Sequence, residues 1–132
     1  MTQEDKQLLI KDLCARLPYG IHCLCNNGDR PLTISYINKE KVHIEEYPHP
    51  KYDITDVKPY IRPMSSMTKE EKYTYRHMLG AQLNSEGVSI MFVYIEDFPV
   101  VIDWLNAHHF NYRGLIEKGL ALEAPEDMYK TE

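Results

Sequence analysis

Residues 21–47, IHCLCNNGDRPLTISYINKEKVHIEEY, decide the fold. Ile21, Cys23 and Cys25 alternate with His22 and Leu24, the period of two that marks a strand with one covered face. NNGDRP is a dense turn signal. Beyond it Leu32, Ile34 and Tyr36, then Val42, Ile44 and Tyr47, alternate with Thr33, Ser35, His43 and Glu45, with INKEK as a second turn. Three short strands joined by tight turns predict an antiparallel meander, one face on a core and the other in water.

The flanking segments supply what covers that face. Leu9, Ile10, Leu13, Cys14 and Leu17 follow the spacing of one helix face, so residues 3–17 predict an amphipathic helix, stopped by Pro18 and Gly20. Glu4, Asp5, Lys6, Lys11, Asp12 and Arg16 are expected mostly on its solvent side. After the meander, PHPKYD (48–53) reads as a loop. A fourth strand is expected over residues 54–61, cut short by Pro59 and Pro63. Thr68 with Glu71 three residues on forms a capping box, which starts a helix whose inner face carries Tyr75, Met78, Leu79, Gln82 and Leu83. It is expected to fray over 84–87. The β-branched and aromatic run over 88–95 then predicts a buried strand.

Residues 97–122, DFPVVIDWLNAHHFNYRGLIEKGLAL, hold the one tryptophan and are expected to form the element against which the rest packs. Asp97 suits an N-cap and Pro99 the first turn. Val101, Trp104, Leu105 and His108 share a face that Val100 and Ile102 widen, predicting a helix covered over more than half its circumference. Asn111 is expected in the left-handed conformation that ends it. A short second helix over 113–118 should stop at Gly119, with Leu115 and Leu120 as the apolar pair of a Schellman cap. Residues 120–122 suggest an edge strand, and 125–132 a polar tail. The expected whole is one α+β domain, residues 1–132. It combines an antiparallel meander of three to five strands with an N-terminal helix, a middle helix and a C-terminal helix pair.

Three blocks carry a resemblance: LIKDLCARLPYG, ending at Gly20; KPYIRPMSSMTKEE over 58–71; and IDWLNAHHFNYRGLIEKGLALEAPEDMY over 102–129. Together they resemble a family of small proteins of unassigned activity, encoded by gut bacteria and often found in phage-like or mobile regions. The resemblance implies an intracellular bacterial setting and brings no activity or binding residue with it.

At 132 residues the chain can bury about 65% of the surface that its unfolded form exposes, enough for one core. No apolar run approaches the ~20 residues of a membrane span, and MTQEDKQ lacks the character of a secretory signal, so the expected location is the cytoplasm. Fifteen Lys and Arg against twenty Asp and Glu give a net charge of −5, which disfavours sequence-independent nucleic-acid binding. Three cysteines, Cys14, Cys23 and Cys25, do not make a disulfide framework in such a chain. Cys23 and Cys25 with His22 fall short of the four ligands of a structural zinc site, so neither metal nor cofactor is expected.

The other chemical candidates are Asp103, His108 and His109. Adjacent histidines on a helix diverge by about 100 degrees, and Asp103 lies off the i+3/i+4 spacing, so the trio does not converge. His108 is expected against the core and His109 at the helix end or in solvent. There is no GxSxG, HExxH, P-loop or GxGxxG. A second helix of six residues carrying Glu117 lacks the basic surface of a recognition helix. These observations favour a non-enzyme: an accessory protein that works through contact with a protein partner, or with a second copy of itself. Its surface would be the sheet's exposed tyrosines or the loop Asn111, Tyr112 and Arg113. The alternatives are a small hydrolase or nuclease-like enzyme using His108 or His109, and a nucleic-acid-binding accessory protein of a mobile element. Within the loop, Tyr112 could equally pack under the turn while Arg113 pairs with Glu117.

Overall fold

The computed structural model describes residues 1–26, 28–79, 82–83, 89–90 and 98–129. It has the α+β architecture that the meander predicts. Helix α1 spans Gln3–Arg16, β1 His22–Cys25, β2 Leu32–Asn38, β3 Lys41–Ile44, β4 Lys51–Asp53 and β5 Val57–Ile61. Helix α2 spans Lys69–Met78 and α3 Phe98–Ala107, β6 (Gln82–Leu83) pairs with β7 (Ser89–Ile90), and β8 is Leu122–Glu123. Six strands form a sheet in the order β4-β3-β2-β1-β5-β8. The sheet is mixed rather than wholly antiparallel, because β8 returns along β5 in parallel.

Helix α1 begins at Thr2, whose side chain takes the Asp5 N–H while Asp5 reaches back to the Thr2 N–H. Its Leu9 and Leu13 pack on the face of the sheet built by Ile21, Cys23, Cys25, Ile34, Val42, Ile44, Ile54, Val57 and Ile61. Leu115, Leu120 and Ala121 close that core from the C-terminal side. The Trp104 helix is therefore not the centre: it belongs to a second, smaller cluster with Val101, Leu105, Phe110 and Met67. Nor is α3 covered over most of its circumference, since Phe98, Val100 and Ile102 are exposed.

Within the sheet, two local features move residues from their expected places. Ile34 pairs with Ile44 but Tyr36 pairs with His43, so one extra residue enters β2 between them. Such a bulge reverses the alternation, which turns Tyr36 to solvent and puts Ile37 opposite buried Val42. Tyr47, expected inward, is 86% exposed. The expected strand over 54–61 is instead a 3-10 turn, Ile54–Asp56, followed by β5, while 51–53 of the expected loop form β4. Pro59 lies inside β5 without harm. The Asn26 N–H bonds Asp56 O, so the residues that exchange bonds with β1 are Asp56, Lys58 and Tyr60, and the missing N–H of Pro59 points away from β1.

The capping box at Thr68 and Glu71 forms as expected, and α2 lays Tyr75, Met78 and Leu79 against the second cluster. Gln82 and Leu83 belong to β6, not to that helix. The expected fray over 84–87, the strand interior over 91–95 and the Asp97 cap lie outside the described residues. Helix α3 ends in a Schellman cap, with Phe110 N–H on Leu105 O at 2.9 Å and His109 N–H on Asn106 O at 3.0 Å. The left-handed residue is His109, at φ +58, and not Asn111. A second cap of the same kind follows, Leu120 N–H to Leu115 O and Gly119 N–H to Ile116 O, although residues 115–119 make turns rather than a helix.

Candidate functional site

Asp12 and Arg16, expected in solvent on α1, are fully buried. They sit four residues apart, on one side of the helix, and Arg16 grips the carboxylate with Nε to Oδ2 at 2.8 Å and Nη2 to Oδ1 at 3.2 Å. The same Nη2 donates to the Phe110 carbonyl at 2.6 Å, tying α1 to the chain 94 residues on. Arg113 approaches Asp12 Oδ1 at 3.3 Å, so Arg113 pairs with α1 and not with Glu117. Glu117 instead accepts both bonds from Asn111 Nδ2, at 2.8 and 3.1 Å. Asn111 is buried, and its Oδ1 takes the Leu115 N–H at 2.8 Å. Tyr112 is half-buried with its hydroxyl on Asn106 Oδ1 at 2.8 Å. The loop Asn111 to Arg113 is thus engaged mainly within the chain.

Asp103, His108 and His109 are not brought together. Asp103 is exposed on α3. His108 is half-buried, lies tilted against the Trp104 ring at 4.4 Å and donates Nδ1–H to the Trp104 carbonyl at 2.9 Å. His109 is the buried one of the pair, because its left-handed backbone swings the ring inward beneath the cap. It lies 4.1 Å from the Tyr129 ring and donates Nε2–H to Tyr19 O over a long 3.4 Å. Burial, then the Arg16 charge, push its pKa down to about 4, so the ring is neutral at pH 7.

Tyr129 belongs to the expected polar tail, yet it is fastened into the sheet. The β1–β5 ladder ends at Cys23 and Pro59, and the next bond-exchanging pair would be His22 and Tyr60. There the Tyr129 hydroxyl accepts from the His22 N–H at 3.0 Å and donates to Tyr60 O at 2.7 Å, standing in for the direct bond. Burial pushes this phenol upward in pKa, so it stays protonated. Sequence reasoning missed Asp12, Arg16 and Tyr129; only the i, i+4 spacing of the first two left a trace.

The cysteines Cys23 and Cys25 share the core side of β1, with Sγ atoms 3.9 Å apart. Their mutual hydrogen bond, and then burial, raise the pKa of Cys23. Among the described residues, no group of three or more His, Cys, Asp or Glu could hold a metal ion. A hollow of about 320 Å³ lies at the end of β1 and β5, between Leu24, Lys58, Asp56 and Leu122.

The opposite face of the sheet carries a different kind of surface. A cross-strand row runs Tyr36, His43, Lys51 over β2, β3 and β4. Tyr36 is 51% exposed, and its ring stacks on His43 at 4.1 Å and 11°. Next in the row's neighbourhood, Lys41 pairs with Asp53 at 3.2 Å. Beyond β3 the loop presents Tyr47, edge-on to His49 at 6.0 Å. That loop is anchored by Glu46, which accepts the Thr33 N–H at 2.8 Å. Burial opposes ionisation of Glu46, but the Thr33 bonds prevail and hold its pKa below the usual range.

No described helix is long and apolar enough to cross a membrane. Comparison with protein-family models, with curated proteins and with solved structures finds no match.

Proposed function

We propose that this chain is a non-catalytic accessory protein of the bacterial cytoplasm that acts through contact with a protein partner. The surface is the solvent face of the meander. The supporting observation is the row Tyr36, His43 and Lys51, in which the Tyr36 ring is held in a stack on His43 across β2 and β3 with half of its surface in water, while Tyr47 in the loop after β3 is 86% exposed and edge-on to His49. Tyrosine gives large contact area at small entropic cost, and a ring fixed before binding loses little freedom on docking. The face is favoured over the loop at 111–113, whose Asn111 and Tyr112 are spent on internal bonds.

The experiment compares affinity capture by the wild-type chain and by a Tyr36→Ala, Tyr47→Ala double variant with the same melting temperature. A specific partner retained by the first and lost by the second supports the reading. A monomeric wild type that captures nothing above background, or equal capture by both, removes it. Should the captured species be nucleic acid, affinity falling steeply with salt would identify it.

A further inference from the structure

The junction between α1 and residues 110–113 sets two guanidiniums against one carboxylate. Arg16 takes both oxygens of Asp12, and Arg113 adds its Nε at 3.3 Å from Oδ1. Each guanidinium brings one positive charge and the carboxylate one negative. The neighbouring imidazole of His109 is neutral at pH 7, and the Glu117 carboxylate, exposed and bonded to Asn111, lies outside the buried group. Within that buried group one positive charge is left over.

That charge has one outlet. The side chains of Arg16 and Asp12 have no exposed surface, and Arg16 Nη1 is sealed without a partner. Arg113 is 23% exposed. Its Nε is sealed beside Asp12, whereas neither Nη1 nor Nη2 is sealed or has an acceptor among the described residues. The fork is also braced: the Tyr112 ring centre lies 5.0 Å from Arg113 Cζ and 5.5 Å from Arg16 Cζ, with its hydroxyl fixed on Asn106. A guanidinium so held presents two parallel N–H donors with little freedom left to lose.

We propose that Arg113 is a binding residue for a single carboxylate, accepted end-on by Nη1 and Nη2. A carboxylate matches the planar fork, and its one negative charge closes the excess. A phosphate monoester, carrying about −1.5 to −2, overshoots it and sets the surplus against Asp12. The carboxylate can come from an acidic segment of another polypeptide or from a free small acid. This site goes beyond the tyrosine face and does not depend on it, so either can fail alone.

The test titrates the whole chain with sodium acetate, with inorganic phosphate and with acetylated hexaglutamate, each against sodium chloride at matched ionic strength. The readouts are the Arg113 Nε–H resonance and the fluorescence of Trp104, which shares its apolar cluster with Tyr112. Acetate is expected to shift the resonance and saturate with a Kd of roughly 1 mM, and Arg113→Gln to weaken it by about tenfold or more. Arg113→Lys, which keeps the charge without the fork, is expected to fall between, at about threefold. A hexaglutamate affinity about tenfold above acetate assigns a polypeptide source, and equal affinity per carboxylate a free acid. The proposal is overturned if chloride reproduces the acetate response, if phosphate binds more tightly than acetate, or if Arg113→Gln binds acetate as the wild type does. Where Arg113→Gln fails to fold, Arg113→Lys and the wild-type resonance decide.

Discussion

Replacing His109 by glycine and, in parallel, by alanine separates two opposed contributions at the end of α3. The imidazole is buried against Tyr129 and the Tyr19 carbonyl, and its removal should cost about 2–4 kcal/mol in either variant. Its backbone, at φ +58, is a conformation that glycine adopts freely and alanine does not. Glycine should therefore be the milder change, by about 1 kcal/mol. Protonation adds a second signature. The folded pKa of about 4 lies below the ordinary 6.5, so the unfolded chain binds the extra proton first. The stability owed to the neutral ring is complete above pH 6.5 and is lost as pH falls toward 4. By pH 4.5 the wild type should have lost about 2–3 kcal/mol from this residue alone, and neither variant should show that loss. Urea unfolding followed by Trp104 fluorescence at pH 7 and pH 4.5 measures both quantities. If alanine proves as stable as glycine, or if the variants lose as much as the wild type on acidification, the account of this cap is wrong.

Other consequences are checked by the same unfolding assay. Asp12→Asn leaves two guanidiniums in one buried junction and should destabilise by about 3–5 kcal/mol; a loss under about 1 kcal/mol, the range of exposed pairs, would mean that water reaches the pair. Tyr129→Phe strands the His22 N–H and the Tyr60 carbonyl, for an expected cost of about 2–4 kcal/mol, and amide exchange at His22 should rise with it. Glu71 is held down to about 2 by Arg62 and then by the Thr68 cap, so its contribution is present above pH 4.5 and disappears as pH falls toward 2. Glu71→Gln should cost about 1–2 kcal/mol at pH 7 and flatten that acid limb; an unchanged limb would assign it to other carboxylates.

What was legible in the sequence was local chemistry. The capping box at Thr68, the alternation Ile21, Cys23, Cys25 and the bond pattern of the Gly119 cap each depend on residues within five positions, and each is present or directly implied in the chain. What was not legible depended on distant partners or on a single inserted residue. Asp12 and Arg16 look like solvent groups until Phe110 and Arg113 arrive beside them. The bulge before Tyr36 leaves no composition signal, yet it decides which tyrosine faces water. His109 took the left-handed position because its ring has a buried seat, whereas Asn111, the better residue by local preference, was needed to receive the Leu115 N–H. For the candidate sites the same division holds: the tyrosine surface was visible as a class of residue, the charged junction only as a spacing.

The hydroxyl of Tyr129 completes a ladder whose other rungs are built from residues 22–26 and 56–60, and β8 borders β5 from the far end of the sequence. During synthesis those earlier residues leave the ribosome with β5 unbordered by β8 and one rung missing. The sheet would then close only when residue 129 is free, so a nascent chain arrested short of it should remain open to proteases along β5.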